Sequence, residues 1–311
     1  MLTITCPPKL TDGQADLLAG TFLGPEHFDT LVKQSTVGLR PDGSMLFAFI
    51  KGAIDPAVCK VSRDNLRKAA RVSNNRGTAA GTLTDEEIAE FNRVNEKSGN
   101  RARFVREGQR MVRMLADGTK SKVTLAKPVE SGIIGYFDRN SRNPYCRLTA
   151  FSLEHKAEYL KVMPLVKAVN DTFKQYAPER HAAQMEIVRK THPDFVINDS
   201  AFTTITVNRN FRTACHKDAG DYKPGFGVLT ALQTGRFSGG FFCIPKYRVA
   251  VDMRTTDVLL ADVHEWHGNT GIIPGNDDWE RISCVFYYRE EMHECGSAVE
   301  ERQRAASKFQ V

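Results

Sequence analysis

No stretch of this 311-residue chain reaches the roughly 18 consecutive apolar residues that a membrane helix needs, so no membrane span is expected. Its start, MLTITCPPKL, has no basic segment leading into a long apolar one and does not read as a signal peptide. Cysteine is sparse and unpatterned: Cys6, Cys59, Cys146, Cys215, Cys243, Cys284 and Cys295 are odd in number and never spaced as CxxC. That argues against a disulfide framework and against a structural zinc site. Reduced thiols and a soluble, cytoplasmic protein are the expectation. Internal repeats, low-complexity segments and acidic tails are also missing.

What remains is an ordinary globular composition, 41% hydrophobic and 26% charged. A chain of this size can bury a substantial core. The net charge is +6, and +5 of it falls within residues 1–130. This excess permits a polyanionic partner without requiring one.

The patterning changes along the chain. Residues 43–54 (GSMLFAFIKGAI) read as a buried strand and turn. Asp55-Pro56 then opens a helix to about Val72, with proline where its missing N–H costs nothing. Residues 85–98 form a second helix with acids in its first turn. Asp117-Gly118 marks a hairpin between strand-like arms. A helix capped by Ser152 runs to about Tyr176, kinked or restarted at Pro164, and another covers roughly 178–190. From about residue 197 the period becomes two. Strands are expected at 201–207, 212–218, 227–233, 239–245, 248–253, 257–263 and 281–289. Many short strands without long helices between them imply an antiparallel sandwich or barrel, with the preceding helices packed on one face.

The chemistry sits in this second half. On a strand, residues i and i+2 share a face, so His216 and Asp218 can reach one metal. An imidazole and a carboxylate are two members of a 2-His-1-carboxylate facial triad, which leaves three iron positions open. Alone, a His-x-Asp is weak. Here the buried run 257–262 follows, then His264-Glu265-Trp266-His267-Gly268-Asn269-Thr270, and fourteen residues after His267 comes Arg281-Ile282-Ser283. A second histidine closes the triad. Arg281 offers a two-pronged donor for the distal carboxylate of 2-oxoglutarate, and Ser283, on the same face, a second bond.

With these pieces in order, the chain resembles the TET/JBP family of Fe(II)- and 2-oxoglutarate-dependent dioxygenases, in particular its phage-type members. The resemblance rests on Cys215-His216-Lys217-Asp218-Ala219-Gly220-Asp221, Phe237-Ser238-Gly239-Gly240, Trp266-His267-Gly268-Asn269-Thr270 and Arg281-Ile282-Ser283-Cys284-Val285-Phe286-Tyr287, and more loosely on residues 131–138. It covers about a third of the chain closely. It implies a double-stranded β-helix, a ligand set of His216, Asp218 and His267, and Fe(II), 2-oxoglutarate and O2 as cofactor and co-substrates, with ascorbate as an optional reductant. Between His267 and His264 it favours His267, which precedes the short turn containing Thr270. His264 is then a supporting or a surface residue. The implied activity is hydroxylation of the 5-methyl group of a pyrimidine in DNA, 5-methylcytosine ahead of thymine. The alternative is a hydroxylase of a free nucleotide, a small metabolite or a protein side chain. A phage-encoded chain would work in the host cytoplasm. The cysteine-rich zinc region of animal members has no counterpart here.

The fold expected is therefore α+β: a jelly-roll, cupin-like double-stranded β-helix with buttressing helices and an N-terminal α/β elaboration. Residues 1–150 form the elaboration and the substrate cleft, 151–292 the helical buttress and catalytic core, and 293–311 a tail. Asn208 is a candidate for binding the co-substrate. Arg71, Arg76, Arg106, Arg110 and Arg212 are candidates for nucleic-acid contact, within a wider basic set of Arg63, Arg67, Lys68, Arg101, Arg103 and Arg113. For each of these the plain alternative is a solvated surface residue. A base inside a duplex must be flipped out to reach a buried metal, which needs a stacking aromatic; Tyr136, Phe137, Tyr145 and Trp266 are the candidates. DNA is the expected partner, with no membrane and no obligate protein partner.

Overall fold

The structure, a computed structural model, describes residues 1–97, 99, 103–107, 110–120 and 126–308; the side chains of residues 107, 110, 111 and 308 lie outside that description. Two sheets face each other, as a jelly roll requires. The larger has ten strands. Its path runs Leu2–Thr5, Thr36–Leu39, Met45–Ile50, Val258–Ala261, Gly227–Thr234, Glu280–Tyr287, Thr204–Arg209, Val129–Phe137 and Val72–Ser73, with Arg147–Leu148 beside Val129–Phe137. The smaller runs Gly268–Asn269, Phe242–Ile244, Val249–Val251 and Thr30–Val32. The first 150 residues thus contribute strands to both sheets.

Period-two patterning decides which side chain goes where. In Val258–Ala261, Val258 and Leu260 pack toward the helices, while Leu259 and Ala261 pack between the sheets. Both faces are covered, which is why this strand reads as an unbroken apolar run. The outer face of the large sheet is sealed by Leu66 from the helix Pro56–Leu66 and by Val162, Leu165, Val169 and Phe173 from the run of helices over 156–176. The helix Met163–Tyr176 begins anew with Pro164 in its first turn, where the ring is tolerated.

Several expectations need correction. The helix opened by Pro56 ends at Leu66 and continues only as a short 3-10 turn, Arg67–Ala69. Ser152 is not a cap: the helix Ala150–Glu154 starts after Thr149, and the Ser152 hydroxyl accepts a bond from the Gly135 N–H at 2.8 Å. Residues 212–218 form no strand; their single bridge joins His216 to His267. The backbone there spends its bonds on loops instead: the Ala214 N–H donates to Ala79 O and the Cys215 N–H to Thr21 O, each at 2.8 Å. Cysteine also departs from expectation. Cys146 and Cys295 are joined in a disulfide across 149 residues, while the other five thiols are free and buried. The Asp117-Gly118 turn is present, with Gly118 at φ +81° and Met114 bridged to Lys120, but its second arm, 121–125, lies outside the described residues.

One glycine is fixed by packing. A Cβ on Gly132 would sit 1.9 Å from the Ala69 carbonyl oxygen, so only hydrogen lets Val129–Phe137 approach that turn. Gly132→Ala is expected to destabilise the fold by about 1–3 kcal/mol. The check is a fall in the urea midpoint without a change in slope.

Candidate active site

The strand Glu280–Tyr287 lies between Thr204–Arg209 and Gly227–Thr234. Ile282, Cys284 and Phe286 turn to the helix-side core. Arg281, Ser283, Val285 and Tyr287 turn the other way and line a cavity of about 410 Å³. Thr206 and Asn208 line the same cavity from the neighbouring strand, where Asn208 is paired with Ser283.

His216, Asp218 and His267 meet in this cavity, and their ligand atoms all lie within 4.8 Å of one another. Their placement follows from a few backbone bonds. The His216 N–H donates to His267 O at 2.8 Å, and the His267 N–H donates back at 2.9 Å. The Asp218 N–H donates to Val263 O at 3.0 Å. Gly268 permits this closeness, since a Cβ there would meet the Ala214 backbone at 3.0 Å. Both rings are oriented by their far nitrogens. His216 Nδ1–H donates to Ala214 O at 2.8 Å and His267 Nδ1–H to Glu265 O at 2.9 Å. Each Nε2 is then left bare as a metal ligand. His216 Nε2 is 3.3 Å and His267 Nε2 3.9 Å from the Asp218 carboxylate. Phe242 stacks on the His267 ring, with centroids 5.1 Å apart.

The turn carrying His267 is braced from behind. Arg40 donates to Asp262 at 2.6 Å and to Glu265 at 3.2 Å, and the Tyr247 hydroxyl donates to Glu265 at 2.8 Å. His264 belongs to this periphery, between the Asp262 carboxylate at 3.4 Å and the Asp221 carbonyl at 3.3 Å, and is outside the ligand cluster.

Burial and charge set the protonation states. Burial, then repulsion by His216, pushes the His267 pKa down to about 4. Burial also pulls on His216, but the Asp218 carboxylate outweighs it and leaves that imidazole above its usual 6.5. Asp218 is held below the usual carboxylate range by the two histidines, against the pull of burial. Asp221 goes the other way: burial, then repulsion by Asp218, raises it well above the usual range, and its Oδ2 has no partner. Two imidazoles and one carboxylate converging from one side are a donor set suited to a divalent iron ion with open positions.

The guanidinium of Arg281 lies at one end of this cavity. The residue is 2% exposed, makes no ion pair among the described residues, and its Nε has no acceptor. Burial, then repulsion by Arg254, lowers its pKa to about 10. Asn208 accepts a short bond from the Ser131 hydroxyl through Oδ1, which leaves its amide nitrogen as a donor.

The other candidates separate by their partners. Arg71 pairs with Glu154 at 2.9 Å and Arg106 with Asp85 at 2.9 Å, both on the surface. Arg63, Arg67 and Lys68 are likewise bound to Asp64, Glu280 and Glu158. The side chain of Arg110 and the whole of Arg101 lie outside the described residues. Arg76 lines the cavity itself, and Arg212 lies over the Phe22 ring at 4.9 Å. None of Tyr136, Phe137, Tyr145 or Trp266 lines the cavity; the aromatic residues that do are Phe211, Phe242 and Tyr287. Tyr136 is instead packed on Phe195, and Trp266 donates to Asp16 at 2.7 Å. Tyr287 was not among the expected residues, although the period of two in RISCVFYYR puts it on the face of Arg281 and Ser283. No local signal marked Phe211.

A family model described as the oxygenase domain of the 2OGFeDO superfamily, Tet_JBP, matches residues 132–290. Thymine dioxygenase JBP1 of Trypanosoma brucei brucei is 41% identical over 179 residues, 56% of this chain and 21% of its own length. Its counterpart in Leishmania braziliensis is 37% identical over 180 residues, again 56% and 21%. The chain therefore spans about a fifth of the length of these curated relatives. Among solved structures, NgTET1 in complex with 5mC DNA matches 97% of this chain and 99% of its own, at 13% identity and a TM-score of 0.49.

Protons and metal compete for the same Nε2 atoms. Because His216 binds its proton more tightly than a free imidazole and His267 less tightly, Fe(II) affinity is expected to fall as pH drops through a single group titrating above 6.5. His267 would join only near pH 4. Anaerobic Fe(II) titrations across this range test the sign. His216→Ala should weaken binding by more than about a hundredfold, the upper range for loss of a residue that merely supports a ligand.

Proposed function

Because the chain belongs to the Tet_JBP family, the oxygenase domain of the 2OGFeDO superfamily, we propose that this dioxygenase hydroxylates the 5-methyl group of a pyrimidine in DNA. It would use Fe(II), 2-oxoglutarate and O2, with ascorbate as an added reductant, and act in the cytoplasm. The observation that carries the reading is the meeting of His216, Asp218 and His267 in one cavity with a buried, unpaired Arg281.

His216, Asp218 and His267 would hold the iron, which supplies the oxidising chemistry when bound. Arg281 is suited to the far carboxylate of 2-oxoglutarate: its donor is already out of water and has no acceptor. Ser283 and the Asn208 amide, on the same cavity face, would add neutral donors to that co-substrate. The remaining wall, with Tyr287 and Phe211, would receive the base. Tyr287 provides a ring face for a base drawn out of its stack. Arg289, fixed by a two-pronged pair with Asp138 at 3.0 and 3.1 Å, borders the same end.

DNA contact fits the basic first 130 residues and the substrates of the named relatives. Among the arginine candidates, Arg76 and Arg212 are the best placed to meet the nucleic acid, since Arg71 and Arg106 already hold carboxylates. The sequence expectation ranks 5-methylcytosine first, whereas the relatives at about 40% identity are thymine dioxygenases.

The deciding experiment is nucleoside mass spectrometry of methylated DNA after incubation with the protein, Fe(II), 2-oxoglutarate and O2. The gain of one oxygen on 5-methylcytidine or on thymidine identifies the base. Turnover of 2-oxoglutarate with no oxidised nucleoside would sink the DNA reading and keep the oxygenase. Arg281→Lys is expected to raise the 2-oxoglutarate concentration for half-maximal succinate formation by about tenfold or more, the cost of a charge-assisted bond. An unchanged requirement would place the anchor elsewhere.

A further inference from the structure

Among the described residues, three arginines have an Nε that is buried and without an acceptor: Arg76, Arg212 and Arg281. Arg281 is accounted for by a dicarboxylate co-substrate. Arg212 donates through Nη2 to Leu23 O at 2.6 Å and lines a separate hollow with Phe22. Arg76 shares the cavity of His216, Asp218 and His267, and a general contact with nucleic acid does not say what its buried Nε would meet there.

Its position is built, not incidental. Arg76 ends an irregular segment and precedes a 3-10 turn, Gly77–Ala80, whose Gly77 takes φ +50°. The Ala79 carbonyl of that turn receives the Ala214 N–H, which ties it to the segment carrying the metal ligands. One guanidinium nitrogen, Nη2, donates to Gly132 O at 2.9 Å. That bond fixes the side chain but leaves the charge unmatched, because Arg76 makes no ion pair among the described residues. The segment also lies before residue 132, outside the part of the chain that the family model covers.

The Arg76 Nε is out of water and has no acceptor among the described residues, an unfavourable state that an incoming acceptor relieves. Of the other cations that line the cavity, Arg289 is matched by Asp138 and Lys217 lies over the Trp266 ring at 5.0 Å, while Arg281 is accounted for above. Asp221 keeps a buried, unsatisfied carboxylate oxygen in the same cavity but makes no ion pair with Arg76 among the described residues; a bound substrate would bring an acceptor to the Arg76 Nε. A nucleotide offers phosphate oxygens and ring carbonyls. For the methyl to reach the metal ligands, the base must enter the cavity, while its phosphates remain with the strand at the mouth. We infer that Arg76 reads the target base, donating a hydrogen bond to a ring carbonyl, O2 or O4, of the pyrimidine whose methyl is oxidised. This rests on the proposed action on DNA and deepens it. O2 is common to cytosine and thymine, so a bond there admits any pyrimidine. O4 exists only in thymine, so a bond there selects against 5-methylcytosine.

A residue–substrate cycle tests this. The enzyme is loaded with Fe(II) and 2-oxoglutarate under anaerobic conditions. Its Kd is measured for short duplexes carrying the natural target base or its 2-thio form, and for thymine its 4-thio form as well. Sulfur replaces a good acceptor with a poor one. One thio substitution should weaken binding by the wild-type protein by about tenfold. Arg76→Gln should lose a similar factor with the natural base and nothing further with that thio base. Arg76→Lys keeps the charge and loses the fork, so it should retain the salt dependence of binding and lose most of the discrimination. Thio effects undiminished in both variants, or an unchanged Kd for the natural base in Arg76→Gln, would overturn the inference. Failure of the DNA reading looks different: wild-type protein would neither prefer the methylated duplex nor yield an oxidised nucleoside.

Discussion

The alternation along Glu280–Tyr287 is the constraint on which the rest depends. This strand is bonded on both sides, by Thr204–Arg209 and Gly227–Thr234. One of its faces must be apolar to close against the helices, and Ile282, Cys284 and Phe286 meet that need. The other face is thereby freed for function, and it carries Arg281, Ser283 and Tyr287 in a row. A shift of one residue in register would put Arg281 into the helix-side core and Ile282 into the cavity. The apolar packing that stabilises the sheet is thus also what aims the site. Stability and function are specified here by the same eight residues.

Buried charge gives a second level of order. Most arginines in the described structure are satisfied by carboxylates: Arg40 by Asp262, Arg209 by Glu130 and Glu280, Arg289 by Asp138. These pairs brace the strand ends and the turn that carries His267. Against that background the unmatched guanidiniums stand apart. Arg76 and Arg281 differ from other arginines without a carboxylate in lining the cavity with a buried Nε that has no acceptor among the described residues, which an incoming ligand can satisfy. Electrostatics therefore separates arginines that hold the protein together from those that wait for a ligand. Counting basic residues along the sequence could not make that separation. Arg71, Arg76 and Arg106 look alike in a charge profile, yet two of them are paired and one is not.

What was legible in the sequence was local or periodic. His216 and Asp218 are two residues apart, and the buried run before His264–His267 and the alternation of RISCVFYYR are contained within short windows. The C-terminal strands of the larger sheet and its helical cover follow from the same periodicity, whereas six of its ten strands come from the first 150 residues, where only 43–54 read as one of them. What was not legible depends on long-range contact. The segment 212–218 looked like a strand from composition, but loops from residues 21 and 79 take its hydrogen bonds. Ser152 looked like a cap because serine favours that role; Thr149 precedes the helix, and Ser152 satisfies the Gly135 N–H instead. The Cys146–Cys295 disulfide spans 149 residues and has no spacing signature. The aromatic candidates missed because Trp266 and Tyr136 are conspicuous in sequence yet committed to other neighbours.

The same distinction bears on how much of the chain makes the site. The family match starts at residue 132 and contains the metal cluster, Arg281 and Tyr287. The cavity is nevertheless lined on another side by Asn75, Arg76 and the turn after them. This segment is held to the loop carrying His216 and Asp218 by the backbone bond at Ala79 and to Val129–Phe137 by the Arg76–Gly132 contact. The metal cluster and the N-terminal segment line one cavity from distant parts of the sequence. If Arg76 reads the base as inferred, chemistry and recognition come from two parts of the sequence that the fold brings together. The N-terminal part presents a guanidinium, which favours ligands carrying an acceptor and disfavours those that present a donor at the same point.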